Sequence, residues 1–500
     1  MKNQKNTHIL PAFIAIAAAL LACNRLIPTA IPLAPTIDSL PTSEPTDPHA
    51  GAPGMGDSLY PDFGNGGYQV EHYTLDITVH DVVTSDLTAV TTLEAQATQE
   101  LDSFNLDFIG FDITAITVNE EPADFERAGQ ELTVIPERPL TENEFFTVQV
   151  EYSGPPEVMY SQALHFQTGW VTFEGGSFVL SEPDGSASFF PVNDHPLDKA
   201  RYTFRVTVPE PFEVAANGVL TETVDNGDTS TFLFEARDPM ASYLATININ
   251  EFDIETMESA GGIPIRNYYA VGLPSDVRKP FARQGEMLEY FSELFGPYPF
   301  EVYGALVMDT EFGAALENQT MSIFGMDMVN VNDVEGTESV VAHELAHQWF
   351  GNNVSVADWS DIWLNEGFAT YSQGLWIEHL HGRTELDEFI KHTYTEVAQY
   401  SQFYLPPGDP AADNLFNGGV YFRGALTLHA LRLKVGDGIF FEILQAYQDR
   451  YKGGNASTED FIAVAQEVSG MELTDLFDAW LYDEELPPIP ELDLTPVKEN

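Results

Sequence analysis

Alternating hydrophobic and polar positions dominate the chain between residues 68 and 249. Such alternation is typical of strands that bury one face of a sheet. The clearest runs cover residues 73–79, 146–150, 202–208 and 231–234, and the runs do not recur with a fixed period. The pattern predicts an all-β domain over residues 66–252.

Hydrophobic residues at intervals of three and four replace the alternation beyond residue 253, as Met287, Leu288, Phe291 and Leu294 illustrate. This spacing indicates amphipathic helices. Further helical patterns cover residues 338–350, 367–379, 424–433, 439–451, 458–468 and 476–482. We therefore expect a multidomain α+β protein in which a helix-rich domain, residues 253–484, follows the β domain. Residues 485–500, rich in proline and acid, are expected to be a flexible tail.

The first residues have the form of an export signal. Lys2 and Lys5 precede an apolar run over residues 9–21, which is short for a membrane-spanning helix. Cys23, the only cysteine of the chain, ends a Leu-Leu-Ala-Cys sequence that resembles the lipobox of bacterial lipoproteins. We expect residues 1–23 to be a lipoprotein signal peptide and Cys23 to carry a lipid anchor outside the cytoplasm, at the cell surface or in the periplasm. An ordinary signal peptide with an incidental cysteine is the alternative.

Residues 24–65 carry many Pro, Thr, Ser, Gly and Asp residues and little periodic hydrophobicity. Such a segment buries too little apolar surface to offset the entropy lost on ordering. The composition predicts a disordered tether between the lipid anchor and the β domain.

The chain as a whole is strongly acidic, with 21 basic and 78 acidic residues and a formal net charge of -57. A charge of this sign repels phosphate backbones and anionic membranes, so nucleic acid is not expected as a partner and membrane contact is expected only through Cys23. Hydrophobic residues make up 44% of the 500 positions, which is typical of an ordered globular protein. A single cysteine excludes a disulfide within the chain.

Candidate metal ligands lie in the sequence His343-Glu344-Leu345-Ala346-His347, inside a predicted helix. Residues four apart lie on one face of a helix, so both imidazoles can reach one ion. Zinc binds imidazole nitrogen at about 2.0 to 2.1 Å, and a catalytic zinc takes three protein ligands. Glu366, nineteen residues after His347, is the natural third ligand because a second helix beginning near it can lay its carboxylate across the first.

Taken alone, this five-residue pattern also occurs in helices that carry two histidines for surface or core reasons. The downstream glutamate makes that alternative much weaker. Glu344 lies beside the expected metal and cannot replace a histidine, so we expect it to take a proton from the attacking water and pass it to the leaving amine. Its alternative role is that of a surface salt-bridge partner.

Together these residues resemble the metal motif of the zinc aminopeptidase family that includes aminopeptidase N and the bifunctional leukotriene hydrolases, the gluzincin metallopeptidases. In that family a glutamate also follows the second histidine after nineteen residues, and the likeness extends over most of residues 66–480. The resemblance implies a thermolysin-like catalytic domain with a small mixed sheet, one catalytic zinc ion and peptide substrates with free N-termini.

Upstream, residues 313–318, Gly-Ala-Ala-Leu-Glu-Asn, resemble the family's Gly-Ala-Met-Glu-Asn strand. The resemblance implies that Glu317 binds the free α-amine of the substrate and that Asn318 and Ala315 also contact it. A fixed carboxylate suits this role because the ammonium group must be desolvated. Ala314 and Leu316 depart from the family pattern, which affects the first side-chain pocket more than the amine contact. A glutamate at a sheet edge is the structural alternative.

In the β domain, residues 181–183 and 191–196 resemble the family segment that reaches over the active site. Glu182 falls where relatives place Gln or Glu, so the resemblance implies a second acceptor for the substrate ammonium and a substrate bound between the domains. Ser186, Ala187 and Val192 depart from the family pattern, and a loop-capping role for Glu182 stays open.

Downstream, residues 420–425, Val-Tyr-Phe-Arg-Gly-Ala, resemble the family's Tyr-x-Lys-Gly helix start. The resemblance implies that the phenol of Tyr421 donates a hydrogen bond to the tetrahedral oxyanion. A neutral donor suits this role because the usual pKa of tyrosine, about 10, keeps the proton in place. Arg423 replaces the family's lysine and keeps the charge but not the geometry.

The sequence thus predicts a zinc aminopeptidase. A zinc endopeptidase or an epoxide hydrolase on the same scaffold is the rival enzyme, and a catalytically inactive surface binding module is the rival from another class. Since little sequence follows the catalytic pattern, we also expect an open site that accepts longer peptides. The large aromatic residues near the motifs are expected to form core: Trp349, Phe350, Trp359, Trp363 and Phe368.

Overall fold

The computed structural model describes residues 49–496 of the chain. They form two compact units, the first ending at Phe252 and the second beginning at Asp253. The first unit consists of β-strands and the second mainly of helices, so the predicted α+β fold class is confirmed. The predicted signal peptide, Cys23 and the first part of the predicted tether lie outside the described residues.

The strands of the first unit are numbered in chain order. They are β1 (Tyr68–Asp81), β2 (Asp86–Ala97), β3 (Phe104–Asp107), β4 (Asp112–Val118), β5 (Glu121–Pro122), β6 (Asp124–Ala128), β7 (Glu131–Ile135), β8 (Phe145–Gly154), β9 (Met159–Tyr160), β10 (Gln167–Phe173), β11 (Gly176–Leu180), β12 (Ala200–Pro209), β13 (Glu213–Ala216), β14 (Val219–Asp225), β15 (Thr229–Met240) and β16 (Ile247–Asn250).

Sheet register in this unit follows the hydrophobic alternation. An eight-stranded sheet has the order β14-β15-β12-β1-β2-β8-β4-β5, and five-stranded and three-stranded sheets have the orders β13-β16-β11-β10-β9 and β3-β7-β6. On β1, Leu75 and Ile77 are fully buried, with Leu75 opposite Thr91 on β2 and Phe204 on β12. Burying each such aliphatic side chain contributes about 1.5–3 kcal/mol, so a one-residue slip that exposes them is strongly disfavoured.

Residues 49–65, which the sequence assigns to the disordered tether, instead pack on the first unit. Asn65 is fully buried; its side-chain amide donates to Asp107 and its backbone N–H donates to Asn193. Asp57 is also buried and lies 3.2 Å from Nε2 of His195. The tether prediction fails here because these contacts are polar and join residues far apart in sequence, so no hydrophobic period marks them.

The second unit has a five-stranded mixed sheet, a small two-stranded one and a set of helices. The sheets contain β17 (Phe252–Glu258), β18 (Pro264–Ala270), β19 (Tyr303–Val307), β20 (Ala315–Leu316) and β21 (Ser322–Phe324), then β22 (Ser355–Val356) and β23 (Asn455–Ala456). The helices are α1 (Gln284–Phe295), α2 (Val334–Ala346), α3 (Trp363–His381), α4 (Arg383–Gln399), α5 (Gly424–Val435), α6 (Asp437–Tyr451), α7 (Thr458–Ser469) and α8 (Thr474–Leu481).

Short turns of 3₁₀ helix connect these elements in both units. They are Ser186–Ser188, Ser242–Leu244, Ser275–Phe281, Met326–Met328, Trp359–Asp361 and Pro490–Leu492.

Helix α3 lies at the centre of the second unit and packs against α2, α4 and α5. Helix α4 was not predicted from the sequence, although Leu386, Phe389, Ile390 and Val397 have helical spacing and are buried. The aromatic residues assigned to the core are indeed buried: Trp349, Phe350, Trp359, Trp363 and Phe368.

The chain after α8 is not a free tail over its described part. Leu486 and Ile489 are buried, and Ile489 forms a β-bridge with Leu494. The flexible tail predicted from residue 485 is therefore wrong for residues 485–496, because two apolar side chains anchor a stretch of mostly polar composition. Among residues 49–496, helices that combine the length and the apolar character needed to cross a membrane are absent.

Replacing Asn65 by Ala should destabilise the first unit by about 1–3 kcal/mol, because it removes a buried hydrogen bond to the carboxyl group of Asp107, which keeps Gln130 and the N–H of Asp194 as donors. Urea unfolding followed by tryptophan fluorescence measures the change. Gln69→Ala, at an exposed position of β1, is the matched control and should stay within about 0.5 kcal/mol of the parent. Equal stability of the two variants would contradict a structural contribution of residues 49–65.

Candidate active site

Two histidines meet at the end of α2. The helix begins after Asp333, whose side chain accepts a hydrogen bond from the N–H of Gly336 as an N-cap. His343 lies in its last turn and His347 directly follows it in helical conformation. The two imidazole rings lie with their centroids 4.8 Å apart, and both residues are buried. The helical pitch thus brings both rings to one place, as the spacing predicts.

Glu366 reaches the same place from the first turn of α3. Its Oε2 lies 3.1 Å from Nε2 of His343 and 3.5 Å from Nε2 of His347. One atom of each of the three residues lies within 4.8 Å of the others, a separation that suits a single shared ion. The three predicted metal ligands are therefore brought together by the packing of α3 on α2.

The hydrogen bonding of His347 fits a metal ligand. Its Nδ1 lies 3.1 Å from the carbonyl oxygen of Phe350, and because a carbonyl only accepts, Nδ1 carries the proton. In the neutral ring Nε2 then presents a lone pair to the carboxylate of Glu366, an arrangement that a cation between them stabilises. Two imidazole nitrogens and one carboxylate oxygen are the donor set of a catalytic zinc site. The residues present therefore fit zinc.

Burial and the neighbouring charges shift the pKa values of the residues in this cluster in opposite directions. It lowers the pKa of His343 and raises the pKa of Glu344 well above its usual range. Burial opposes ionisation of Glu366 too, but His347 and His343 together outweigh it and bring the pKa of Glu366 to about 2. The pKa of His347 rises to about 10, since Glu317 and Glu366 outweigh the effect of burial. A positive charge beside the carboxylates stabilises the cluster, and either a proton or a metal ion supplies this charge.

Two further carboxylates border the metal ligands. Glu344 and Glu317 each place an oxygen within 4.8 Å of the other and of a ring nitrogen of His347. Oε1 of Glu317 lies 3.8 Å from Nδ1 of His347 and, within the described part of the chain, accepts no hydrogen bond. A buried carboxylate oxygen without a donor is costly, so this atom is suited to a donor that arrives with a ligand.

Two side chains that the sequence motifs do not single out hold the loop that carries Glu317. Gln348 donates from Nε2 to the carbonyl oxygen of Glu317 and accepts from the N–H of Thr320, at 3.0 and 2.8 Å. Asn352 also donates to the carbonyl of Glu317, at 2.8 Å. Both are buried. In the sequence, the signal for this role is the amide residue Gln348 directly after the second histidine. They fix the backbone of Glu317 to the turn that follows the second histidine.

Tyr421 lies on a π-helical turn, Gly419–Arg423, that leads into α5. Its ring is nearly parallel to that of His343, with centroids 6.1 Å apart. The turn ends in Arg423, which is buried and donates to the carbonyl oxygens of Ala479, Trp480 and Asp483 at the end of α8. The guanidinium fork serves three acceptors at once, which the single ammonium of lysine cannot do in this geometry.

The other predicted residues lie as follows. Asn318 is fully buried next to Glu317, and Ala315 lies on β20, the edge strand of the mixed sheet. Glu182 is buried directly after β11 in the first unit, and its role as a second acceptor stays a prediction. Cys23 lies outside the described residues.

Two family models match the chain, one in each unit. The model of the Peptidase M1 N-terminal domain matches residues 69–244, and that of the Peptidase family M1 domain matches residues 280–480. Aminopeptidase M1-C of Oryza sativa subsp. japonica is 29% identical over 316 residues, which are 60% of this chain and 36% of that protein. Human glutamyl aminopeptidase is 27% identical over 319 residues, 60% of this chain and 33% of that protein. The chain thus spans about a third of the length of these curated relatives.

Solved structures match over nearly their whole length. A mutant of the M1 zinc metallopeptidase of Deinococcus radiodurans, bound to a Tyr-Ser-Ala substrate, is 33% identical, with a TM-score of 0.80. The match covers 87% of this chain and 99% of that one. A mutant of a two-domain M1 zinc metallopeptidase bound to L-arginine matches with a TM-score of 0.81 and 33% identity, covering 89% of this chain and 100% of that one.

Glu366→Gln should weaken zinc binding by more than about 10-fold, a loss seen even when only an outer partner of a ligand is removed. Competition with a chelating dye gives the affinity. Zinc should also raise the melting temperature of the parent protein and raise that of the variant less, because a ligand that binds only the folded state stabilises it. Glu335→Gln, at the exposed start of α2, is the control and should bind zinc as the parent does. Unchanged affinity in Glu366→Gln would rule out this carboxylate as a ligand.

Proposed function

The chain belongs to peptidase family M1, and from this premise we propose that it is a zinc-dependent aminopeptidase that releases the N-terminal residue of peptides. One observation carries the proposal: a buried carboxylate oxygen of Glu317, without a hydrogen-bond donor among the described residues, lies beside the metal ligands. A peptide substrate is supported by the related enzyme that binds Tyr-Ser-Ala.

His343, His347 and Glu366 would hold the metal. Zinc in such a site supplies Lewis-acid chemistry, since it polarises a carbonyl group and makes water acidic enough to attack near neutral pH. Glu344 follows His343 on α2 and turns its carboxylate toward the same cluster without belonging to the ligand triad. It accepts a proton from the attacking water and delivers it to the departing amine, so that one carboxylate acts as base and then as acid.

Glu317 selects peptides with a free N-terminus. An ammonium group loses its hydration when it enters a buried site, and a fixed carboxylate replaces that hydration with a charge-assisted hydrogen bond. Gln348 and Asn352 hold the backbone of Glu317, so the carboxylate does not have to be ordered when substrate binds. The distance from the anchored amine to the first carbonyl limits cleavage to the first peptide bond.

Tyr421 stabilises the charge that develops during attack. Its phenol lies on the side of the cluster formed by His343 and is half-buried. A neutral hydrogen-bond donor aimed at the developing oxyanion contributes more in a water-poor site than in bulk water. Collapse of the tetrahedral intermediate breaks the C–N bond and gives one amino acid and a peptide shortened by one residue.

Other parts of the substrate site are proposed from the same premise. Strand β20 lies at the edge of its sheet, so the backbone of Ala315 is available to pair with an extended peptide, and Asn318 follows it. Glu182 is the proposed second acceptor for the substrate ammonium. Its support is the sequence resemblance and its burial after β11.

We further propose that the enzyme acts outside the cytoplasm as a lipoprotein anchored through Cys23. The support is in the sequence: two lysines, an apolar run over residues 9–21 and a sole cysteine directly after Ala22. A net charge of -57 opposes direct contact with an anionic membrane, so attachment would rest on the lipid.

Acetylation of the substrate N-terminus should lower kcat/KM by about 10²-fold or more, because the acetylated amine cannot pair with the buried carboxylate of Glu317. Glu317→Ala should lower kcat/KM for the free peptide by a similar factor and leave the acetylated peptide nearly unaffected. The assay follows release of the first amino acid, with and without chelator. Glu311→Gln, at an exposed glutamate in the segment before β20, is the control. Equal rates for free and acetylated peptides would indicate an endopeptidase, and activity insensitive to chelator would contradict the zinc mechanism.

Expression of the full chain in a bacterial host with a clickable fatty acid should label the protein and place it in the membrane fraction. Cys23→Ala should abolish both the label and the membrane association, because the thiol is the predicted acceptor of the lipid. A parent protein that is unlabelled and fully soluble would favour the alternative of an ordinary signal peptide.

A further inference from the structure

Helices α3 and α5 touch through two glycines. A β-carbon built on Gly367 would lie 2.9 Å from the Cα and the carbonyl carbon of Gly424 and 3.3 Å from the carbonyl oxygen of Val420. A β-carbon built on Gly424 would lie 2.9 Å from the Cα of Gly367. The neighbouring atoms are backbone atoms, which cannot rotate aside as a flexible side chain can. The two backbones are therefore closer than any other pair of residues at these positions permits.

Neither glycine is needed for its backbone conformation. Gly424 has φ −57° and ψ −48°, ordinary helical values that any residue adopts. Gly367 lies inside α3 and is absent from the residues with positive φ. Glycine is a poor helix former, so its presence inside two helices is explained by the close approach and not by local preference.

This contact joins the helix that carries the metal ligand Glu366 to the turn that carries Tyr421. Gly367 directly follows the metal ligand Glu366, and Gly424 lies three residues after Tyr421. Val420, whose carbonyl oxygen faces Gly367, is the neighbour of Tyr421 on the other side. The separation of the two glycines thus sets how far the tyrosine turn stands from the metal-binding helices.

The π-helical turn is also fixed from its other sides. Arg423 ties it to the end of α8 through three carbonyl oxygens. A β-carbon on Gly419 would collide with the carbonyl oxygen of Leu405, and one on Gly418 would lie 2.4 Å from the ring of Tyr404. The turn that carries Tyr421 is therefore closely packed on several sides, and π-helical turns are frequent at functional sites.

We propose that the Gly367–Gly424 contact and the Arg423 fork form a clamp that positions the phenol of Tyr421 against the metal site. The clamp residues are positioning residues, since they act only through Tyr421. The proposal rests on the proposed function, in which Tyr421 donates to the oxyanion. A side chain at position 424 pushes the turn away from α3, and displacements of about 1 Å from the productive geometry can lower a rate about 10²-fold.

Gly424→Ala should therefore lower kcat about 10- to 100-fold in enzyme saturated with zinc, with KM changed less than about 3-fold, because the oxyanion forms only in the transition state. Gly285→Ala is the matched control. It also introduces a methyl group at a helical glycine, but the nearest atom lies 3.6 Å from the new β-carbon, and kcat should not change.

A double-mutant cycle with Tyr421→Phe separates positioning from general damage. If the clamp acts through the phenol, Gly424→Ala should lower kcat little further in the Tyr421→Phe background. A crystal structure of metal-free Gly424→Ala should show the rings of His343 and Tyr421 further apart than the present 6.1 Å. Arg423→Met, which removes all three hydrogen bonds of the fork, gives a second route if Gly424→Ala does not fold, and it should show the same kcat loss and the same lack of additivity.

The outcomes distinguish the clamp from the proposed role of Tyr421. A strong effect of Tyr421→Phe together with parent-like kcat in Gly424→Ala and Arg423→Met would overturn the clamp and leave the role of Tyr421 standing. Full additivity in the cycle, or an unchanged ring separation, would also overturn the clamp. Parent-like kcat in Tyr421→Phe would overturn both the clamp and the proposed role of the phenol.

Discussion

The active site depends on the burial of opposite charges at the junction of two helices. Helix α2 brings His343 and His347 to one face, and α3 lays Glu366 within 3.1 Å and 3.5 Å of their Nε2 atoms. With Glu344 and Glu317 alongside, buried carboxylates outnumber buried histidines in the cluster. Isolated charges of this kind are costly inside a protein unless they are paired or coordinate a metal. A divalent cation resolves the imbalance, and the same cation supplies the chemistry.

The surrounding structure keeps this charged cluster rigid. Gln348 and Asn352 fasten the Glu317 loop to the turn after His347, and the close contact of Gly367 with Gly424 fastens the Tyr421 turn to α3. Each group that is proposed to act on substrate is thus held by backbone contacts or buried amides and not by exposed side chains. A site preorganised in this way loses little free energy to ordering when the substrate arrives.

The periodicity and spacing of hydrophobic residues predict much of this structure. Alternation marked β1, β8, β12 and β15, and three- and four-residue spacing marked most helices, because both patterns record local burial. The metal triad followed from the helical pitch and one downstream glutamate. The sequence patterns do not predict the roles of residues 49–65, Gln348 and the two glycines. These roles come from contacts between distant segments, which leave no local period in the sequence. Helix α4 is different, because its buried apolar residues do have helical spacing although it lies outside the helical patterns predicted from the sequence.

Metal binding and proton transfer are carried by different residues of the site, and Glu344→Gln separates the two functions. We expect the variant to bind one zinc ion per chain with affinity within about 3-fold of the parent, because Glu344 is not part of the ligand triad. Its kcat should fall by about 10²- to 10⁴-fold, the range expected when a general base is removed. Loss of zinc together with activity, or retention of full activity with zinc bound, would contradict these separate roles.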